Sequence, residues 1–308
     1  MADYLSLTRL GVALAFMVAA SVMDWRTRKV RNKVWIILGL VGMGVLALQM
    51  LMDCSFLDTG QATYNMGHFL IFVPIGIIFL DVFWDREPLY DEGKINSVPI
   101  LLYAIVLLIT LAMVVLEGMT VETGQLLAIP VVMMVFIAFF YMGIIRGGAD
   151  AKALMALAIM FPVYPILEGL PLISYPANAI DAVQMTFPFA FLILMNAAIL
   201  HAIAGPTIRF FKNLVRGDRG FPEMFLGYRM DIEEIPKNFV WPMEAVEDGE
   251  IVIMVFPRKD GDIKKELAKL KEMGETRIWV TPKDPFIIPM TAGIIFSIII
   301  GNMVALFF

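Results

Sequence analysis

Residues 125–152 read QLLAIPVVMMVFIAFFYMGIIRGGADAK. No charged residue occurs from 125 to 145, and the run is long enough to cross a bilayer, which takes about 20 apolar residues. Directly after it come Arg146 and then Gly147-Gly148-Ala149-Asp150-Ala151-Lys152. The stretch predicts a membrane-spanning helix that ends by delivering a carboxylate to one membrane face. A carboxylate at or near bilayer depth is a functional-site hypothesis by default. Alone, Asp150 also reads as a helix N-cap, a position that Asp favours. The glycines beside it permit close approach of another chain.

A second aspartate has a matching context. Asp24 closes the apolar run 5–23 and opens Asp24-Trp25-Arg26-Thr27-Arg28-Lys29-Val30-Arg31-Asn32. Alone, it also reads as a helix-end residue paired with the arginines beside it. Together the two aspartates suggest one shared site. Carboxylates about 3 Å apart cannot both ionise, so such a pair supplies one acid and one base.

The rest of the chain supports a membrane setting. Of its 308 residues 59% are hydrophobic, and the mean hydropathy is +0.78. A soluble domain is about 45–50% apolar. The net charge of −5 gives no basic surface for nucleic acid. The single cysteine, Cys54, excludes an intramolecular disulfide and a cysteine-cluster zinc site. Residues 1–20 lack the basic n-region and small-residue cleavage site of a signal peptide, so they read as the start of the first transmembrane helix.

Spans are expected at 5–23, 33–52, 67–84, 98–116, 125–145, 185–206 and 286–308, with a shorter one at 150–166 that runs into Pro162 and Pro165. If the short one crosses, the count is eight; if it is re-entrant, seven. Of the 24 Lys and Arg, all but Arg9 fall in alternate connections, while 53–66, 117–124 and 167–184 hold none. The positive-inside rule then places the N-terminus outside and the basic loops in the cytoplasm, and eight spans keep the alternation. Asp24 and Asp150 both fall at the cytoplasmic face.

Residues 207–285 are of another composition, with 14 basic and 15 acidic side chains. Glu250–Phe256 reads as a strand, 260–273 as an amphipathic helix and Thr276–Val280 as a strand, which predicts a small βαβ unit. The expected fold is therefore an all-α polytopic membrane protein of about eight helices with a small α+β or α/β cytoplasmic domain. Its divisions are 1–206 as transmembrane core, 207–285 as accessory domain and 286–308 as last helix.

Other polar residues compete for a role. Asp81, in the third apolar segment, lacks a glycine neighbourhood and reads as a partner for Lys or Arg of a neighbouring helix. His68 and His201 are far apart and read as interhelical hydrogen-bonding residues, as does Asn196. No H-E-x-x-H motif occurs. The loop acids Asp85, Glu87, Asp91 and Glu92 offer a patch for a basic peptide, and equally a solvated loop. A transporter or channel using buried acids is the alternative function, but no repeat symmetry or pair of broken helices is visible.

With these residues in view, the chain resembles the archaeal preflagellin and type IV prepilin peptidases, membrane aspartic proteases of the GxGD type. In that family the first aspartate ends a first helix and precedes a basic loop with an Ile-Pro-Asn element; Val30-Arg31-Asn32 stands here. The second follows Gly-x-Gly and precedes a lysine by two positions. Gly147, Asp150 and Lys152 match, and Ala149 replaces the second glycine. Residues 279–286, Trp279 to Phe286, resemble the C-terminal extension of larger archaeal members. The aspartates are 126 positions apart, about twice the spacing of short members, which two additional helices would fill. The resemblance implies catalysis by Asp24 and Asp150, with Gly147, Gly148, Ala149, Lys152 and Asn32 shaping the site. It implies no metal or cofactor, and cleavage of short basic leaders from prepilin or preflagellin precursors at the cytoplasmic membrane. The absent cysteine region implies no methyltransferase activity.

Overall fold

The computed structural model describes residues 2–54, 63–84, 90–91, 94–145, 147–165, 167–172, 188–255 and 263–301. Asp85, Glu87, Glu92 and Arg146 lie outside the described residues, and of Asp91 only its backbone pairing is described. The chain forms two compact units, 1–197 with 286–308, and 198–285.

The first unit is helical. Its elements are α1 (Ala2–Thr27), α2 (Asn32–Met52), a 3-10 turn (Met66–Ile71) leading into α3 (Phe72–Asp81), a two-residue hairpin of β1 (Tyr90–Asp91) and β2 (Lys94–Ile95), α4 (Ser97–Glu117), α5 (Val121–Tyr141), α6 (Gly148–Met160), the start of α7 (Phe189–Arg216), and a last helix, Ile287–Ile299. Helices α1, α2, α4, α5 and α7 are each long and apolar enough to cross a membrane. The three remaining expected spans correspond to the shorter pieces 66–81, α6 and Ile287–Ile299.

Local chemistry sets the boundaries. The Asn96 side chain caps α4 by accepting from the Val98 N–H at 3.0 Å. Gly118, at φ 74°, ends it in a conformation that glycine adopts freely. Two residues on, Thr120 accepts from the Thr123 N–H and starts α5. This tight connection makes α4 and α5 neighbours. On α4 only Pro99 and Met113 are buried, while Leu107, Leu108, Leu111 and Val115 face outward. Such a surface suits hydrocarbon and not water. The chain is a multi-pass membrane protein.

α6 is the centre of the unit. Every residue from Ala153 to Met160 is buried, as expected of a helix that is apolar all round. It packs chiefly on α2 and α5. Gly42 of α2 permits the closest approach, since a Cβ there would sit 3.0 Å from the Met160 backbone nitrogen. With 13 residues α6 is only about 20 Å long, too short to cross a core of about 30 Å as a helix. The described chain after it runs through bends and a tight turn closed between Leu167 and Leu170; the Tyr164 hydroxyl donates to the Ser297 carbonyl, and the Leu172 N–H to the Ile299 carbonyl. Tyr164 and Leu172 thus lie against the far end of the last helix.

α7 continues unbroken through Pro206 to Arg216, beyond the expected end at 206. The second unit holds its latter half, α8 (Glu223–Leu226), β3 (Tyr228–Asp231), a 3-10 turn (Ile235–Lys237), β4 (Val240–Pro242), β5 (Glu244–Glu247), β6 (Glu250–Ile253), α9 (Ile263–Glu272) and β7 (Arg277–Pro282). The last helix, Ile287–Ile299, is α10. The order strand, helix, strand holds for β6, α9 and β7, but they do not form a βαβ unit. β6 pairs antiparallel with β5, and β7 lies antiparallel between β3 and β4. The cause is the turn Asp248-Gly249, with φ of 51° and 82°, a two-residue hairpin geometry that commits β6 to β5. α9 buries Leu267 and Leu270 among Ile232, Ile235, Val240, Ile278 and Val280.

Candidate active site

Asp24 lies in the last turn of α1. That helix closes where the Arg28 N–H bonds the Asp24 carbonyl at 2.9 Å, with Arg28 at φ 54°. The Ile287 N–H, the first of α10, and the Arg28 charge both act on the Asp24 carboxylate. α10 is held in place along α1 by the Ser21 and Thr291 hydroxyls, 2.8 Å apart, and by the Thr291 hydroxyl donating to the Met17 carbonyl at 3.3 Å. The start of a helix 263 positions downstream is thus part of the setting of Asp24.

Asp150 stands in the first turn of α6. Gly147 is the N-cap, with φ −95° and ψ 120°, and its carbonyl accepts from the N–H groups of Asp150 and Ala151 at 3.0 and 3.2 Å. A Cβ added at Gly147 would run into Asp150 Oδ2. The carboxylate therefore folds back over its own cap, and that space is open only because residue 147 has no side chain. At Gly148 an added Cβ would meet nothing nearer than the Phe140 ring at 3.7 Å. Of the two glycines, only the first is required by local packing.

The two carboxylates lie within electrostatic range of each other. The Asp24 charge acts through space on Asp150, and α1 touches α6. The flanking motif residues meet: Lys152 Nζ donates to Asn32 Oδ1 at 2.9 Å, joining the starts of α6 and α2. The same ammonium lies 5.0 Å from the centre of the Phe83 ring. Ala149, in the position of the family's second glycine, is half-buried in the first turn of α6.

A cavity of about 800 Å³ opens beside this pair of helix starts. Gly148, Ala151, Lys152 and Met155 of α6 form one wall, and Asp81, Pro99, Ile100, Tyr103, Ile137 and Phe140 others. Asp81 accepts a hydrogen bond from the Tyr103 hydroxyl at 2.9 Å, across α3 and α4. Asp81, which the sequence reads as a partner for Lys or Arg of a neighbouring helix, shares a cavity with three residues of the Asp150 motif. Two features went unread, the start of α10 and Tyr103. The prolines at 282 and 285 flag a helix entry, but nothing in the sequence ties that entry to Asp24.

Two of the other polar residues tie helices together. His68 accepts from the Asn65 N–H through Nδ1 and bonds the Thr123 hydroxyl through Nε2 at 3.1 Å, tying the turn before α3 to α5. Asn196 donates to the Ser297 hydroxyl and the Gly301 carbonyl, knitting α7 to α10. Among the described residues no three His, Cys, Asp or Glu side chains gather as metal ligands.

Comparison with known proteins points the same way as the motifs. Residues 221–303 match the family described as Archaeal Peptidase A24 C-terminus Type II. The chain is 29% identical over 174 residues to a preflagellin peptidase of Methanocaldococcus jannaschii, which covers 55% of this chain and 68% of that relative. It is 25% identical over 173 residues to the preflagellin peptidase of Methanococcus voltae, covering 54% and 67%. It is 26% identical over 168 residues to that of Methanococcus maripaludis, covering 51% and 64%. The resemblance drawn from the two aspartate contexts is therefore borne out by similarity over about half of the chain.

Proposed function

We propose that the chain is a membrane endopeptidase that removes leader peptides from preflagellin or type IV prepilin precursors, with Asp24 and Asp150 as its catalytic pair. The observation that carries the reading is that the Asp24 charge reaches Asp150 through space although the two are 126 positions apart in sequence. The relatives' activity agrees with it, since a peptidase needs a water-activating group and a partner for the scissile carbonyl.

In this mechanism one carboxylate is ionised and takes a proton from a water molecule. The water oxygen attacks the scissile carbonyl carbon. The other carboxyl, protonated, gives its hydrogen to the carbonyl oxygen. The tetrahedral intermediate collapses as the C–N bond breaks: the leaving nitrogen takes a proton from one carboxyl, and a hydroxyl of the intermediate returns its proton to the other, which restores the pair. The two groups titrate as a unit, so neither is assigned as acid or base alone. No metal or organic cofactor enters. Gly147 leaves the Asp150 carboxylate its place, while Lys152 and Asn32 tie α6 to α2 beside it. Gly148 and Ala149 border the approach. The orientation follows the basic loops: N-terminus outside, active site at the cytoplasmic face, and residues 207–285 as a cytoplasmic accessory domain. The partners are the precursor proteins and the lipid bilayer, not nucleic acid.

The test is leader cleavage in membranes by wild type, Asp24→Asn, Asp150→Asn and Asp81→Asn. The expected result is loss of cleavage, by about 10³-fold or more, in the first two. Asp81→Asn is expected to keep turnover. Cleavage surviving in either of the first two variants would overturn the assignment.

A further inference from the structure

α7 is 28 residues long, about 42 Å at a rise of 1.5 Å per residue. A bilayer core is about 30 Å thick, so the last turns of α7 reach past it. They remain apolar on one side. Ile208, Phe211, Leu214 and Val215 form a stripe at helical spacing, and Phe221 follows in the turn after it. Val215 is 88% exposed, Phe221 84% and Phe211 58%.

Beside the stripe stand Lys212, Arg216 and Arg219, all exposed. Among the described residues none of the three has an acidic partner, because the nearby acids are taken. Asp218 pairs with Arg277 at 3.5 Å, Asp284 pairs with Arg209, and Glu223 is buried. The surface is also fixed. Asn213, on the inner side of α7, donates to the carbonyls of Met224 and Gly227, and the Phe210 ring stacks on Phe225 at 4.8 Å. The turn that carries Phe221 is thereby clamped to the helix, and stripe and turn form one rigid face.

Apolar side chains flanked by unpaired basic ones, continuous with a membrane-spanning helix, have the chemistry of a bilayer interface. We propose that the end of α7 and the turn 217–221 form a seat on an anionic membrane surface. Phe211, Leu214, Val215 and Phe221 enter the boundary between headgroups and acyl chains, and Lys212, Arg216 and Arg219 meet lipid phosphates. The seat anchors the second unit whatever reaction the first unit performs. Its failure or success is therefore separate from that of the peptidase reading.

The single cysteine, Cys54, is buried, so a Cys54→Ala background accepts specific labels. Full-length protein with a fluorophore at Val215→Cys, Phe221→Cys or, as control, the exposed Glu272→Cys on α9 is placed in vesicles. These are made of phosphatidylcholine alone or with phosphatidylglycerol, and bromine is carried on the acyl chains. The seat predicts bromine quenching at 215 and 221 but not at 272, rising with the anionic lipid. Lys212→Gln/Arg216→Gln/Arg219→Gln is expected to weaken seating by about fivefold per charge removed. Three outcomes overturn the proposal. One is aqueous iodide quenching at 221 equal to that at 272. Another is bromine quenching indifferent to anionic lipid and to the triple variant. The third is protection in detergent that depends on protein concentration, which assigns the face to a second copy of the chain.

Discussion

Gly147→Ala isolates the placement of one carboxylate from everything else. The residue's φ and ψ, −95° and 120°, are open to alanine, so the backbone carries no new strain. Alanine is a poorer N-cap than glycine by a fraction of a kcal/mol to about 1 kcal/mol, and its stiffer unfolded chain returns about 0.4–1 kcal/mol. The net change in stability is expected to stay within about 1 kcal/mol. The added methyl, however, falls on Asp150 Oδ2, and the carboxylate must retreat by at least about 1.2 Å to reach ordinary van der Waals contact. A displacement of that size in a reacting group costs about 100-fold in rate, or about 2.7 kcal/mol of barrier. The variant is therefore expected to melt near wild type in detergent while its kcat for precursor cleavage in proteoliposomes falls about 100-fold, with KM little changed. Gly148→Ala is the control, since its methyl makes only ordinary contact with the Phe140 ring, and it should retain activity. If Gly147→Ala cleaves at the wild-type rate, the claim that the glycine exists to seat the carboxylate is wrong. If Gly148→Ala is the one that fails, the small residues serve the incoming peptide instead.

The remaining predictions probe what holds the site and the second unit. Lys152→Met and Asn32→Ala should show a coupling of about 1 kcal/mol in a double-mutant cycle of unfolding, because their hydrogen bond is direct; additive effects would remove it as a tie between α6 and α2. Thr291→Val should cost about 0.6 kcal/mol and reduce cleavage through the shifted start of α10, and adding Ser21→Ala should cost little more, since the partner hydroxyl is then no longer orphaned. In the second unit, burial pushes the Glu244 carboxyl above 4.5, and the Trp279 N–H bonded to it pulls the other way. A raised carboxyl binds its proton more tightly in the folded state, so its stabilising contribution is complete below pH 4.5 and is lost as pH rises through the folded value. Glu244→Gln keeps an acceptor for Trp279 and removes the charge, so hydrogen exchange of the β7 amides should slow at neutral pH and lose its pH trend above 4.5; faster exchange at pH 7 would refute the assignment.

Much of this was legible because a membrane writes itself into sequence as length and charge. The run 125–145, the alternation of basic connections and the two aspartate contexts all lie within short windows. What the sequence hid was tertiary. α6 is apolar on every side, through Ala151, Leu154, Leu157 and Ile159 alike, and that pattern cannot separate a helix that spans from one buried inside a bundle. The structure gives 13 helical residues, and the described chain beyond them bends and turns. Nothing in the sequence ties Asp81 to the Asp150 motif, 69 positions on, yet residues of both line one cavity. The error at β6 was of another kind. Asp248-Gly249 is a short-range hairpin signal, and weight given to the strand, helix, strand order overrode it.

The placement of Asp24 explains why the chain folds a second unit and then returns to the bundle. A carboxylate at the C-terminal end of a helix faces the negative pole of that helix, where charge of its own sign is unfavourable. Asp150 stands at the opposite pole of its helix, in the first turn of α6. Asp24 needs compensation, and two sources supply it: the Arg28 charge and the Ile287 N–H at the positive pole of α10. The first is local to the Asp24 motif. The second reaches the site only after the chain has left through α7, built residues 198–285 and come back. The family match over 221–303 runs through both the second unit and α10, so the helix that supports Asp24 travels with that unit. A chain ending before Phe286 would keep both aspartates and every residue of their motifs. It would still lose one of the two groups that make a negative charge at position 24 tenable, along with the hydroxyl contact that aligns α1.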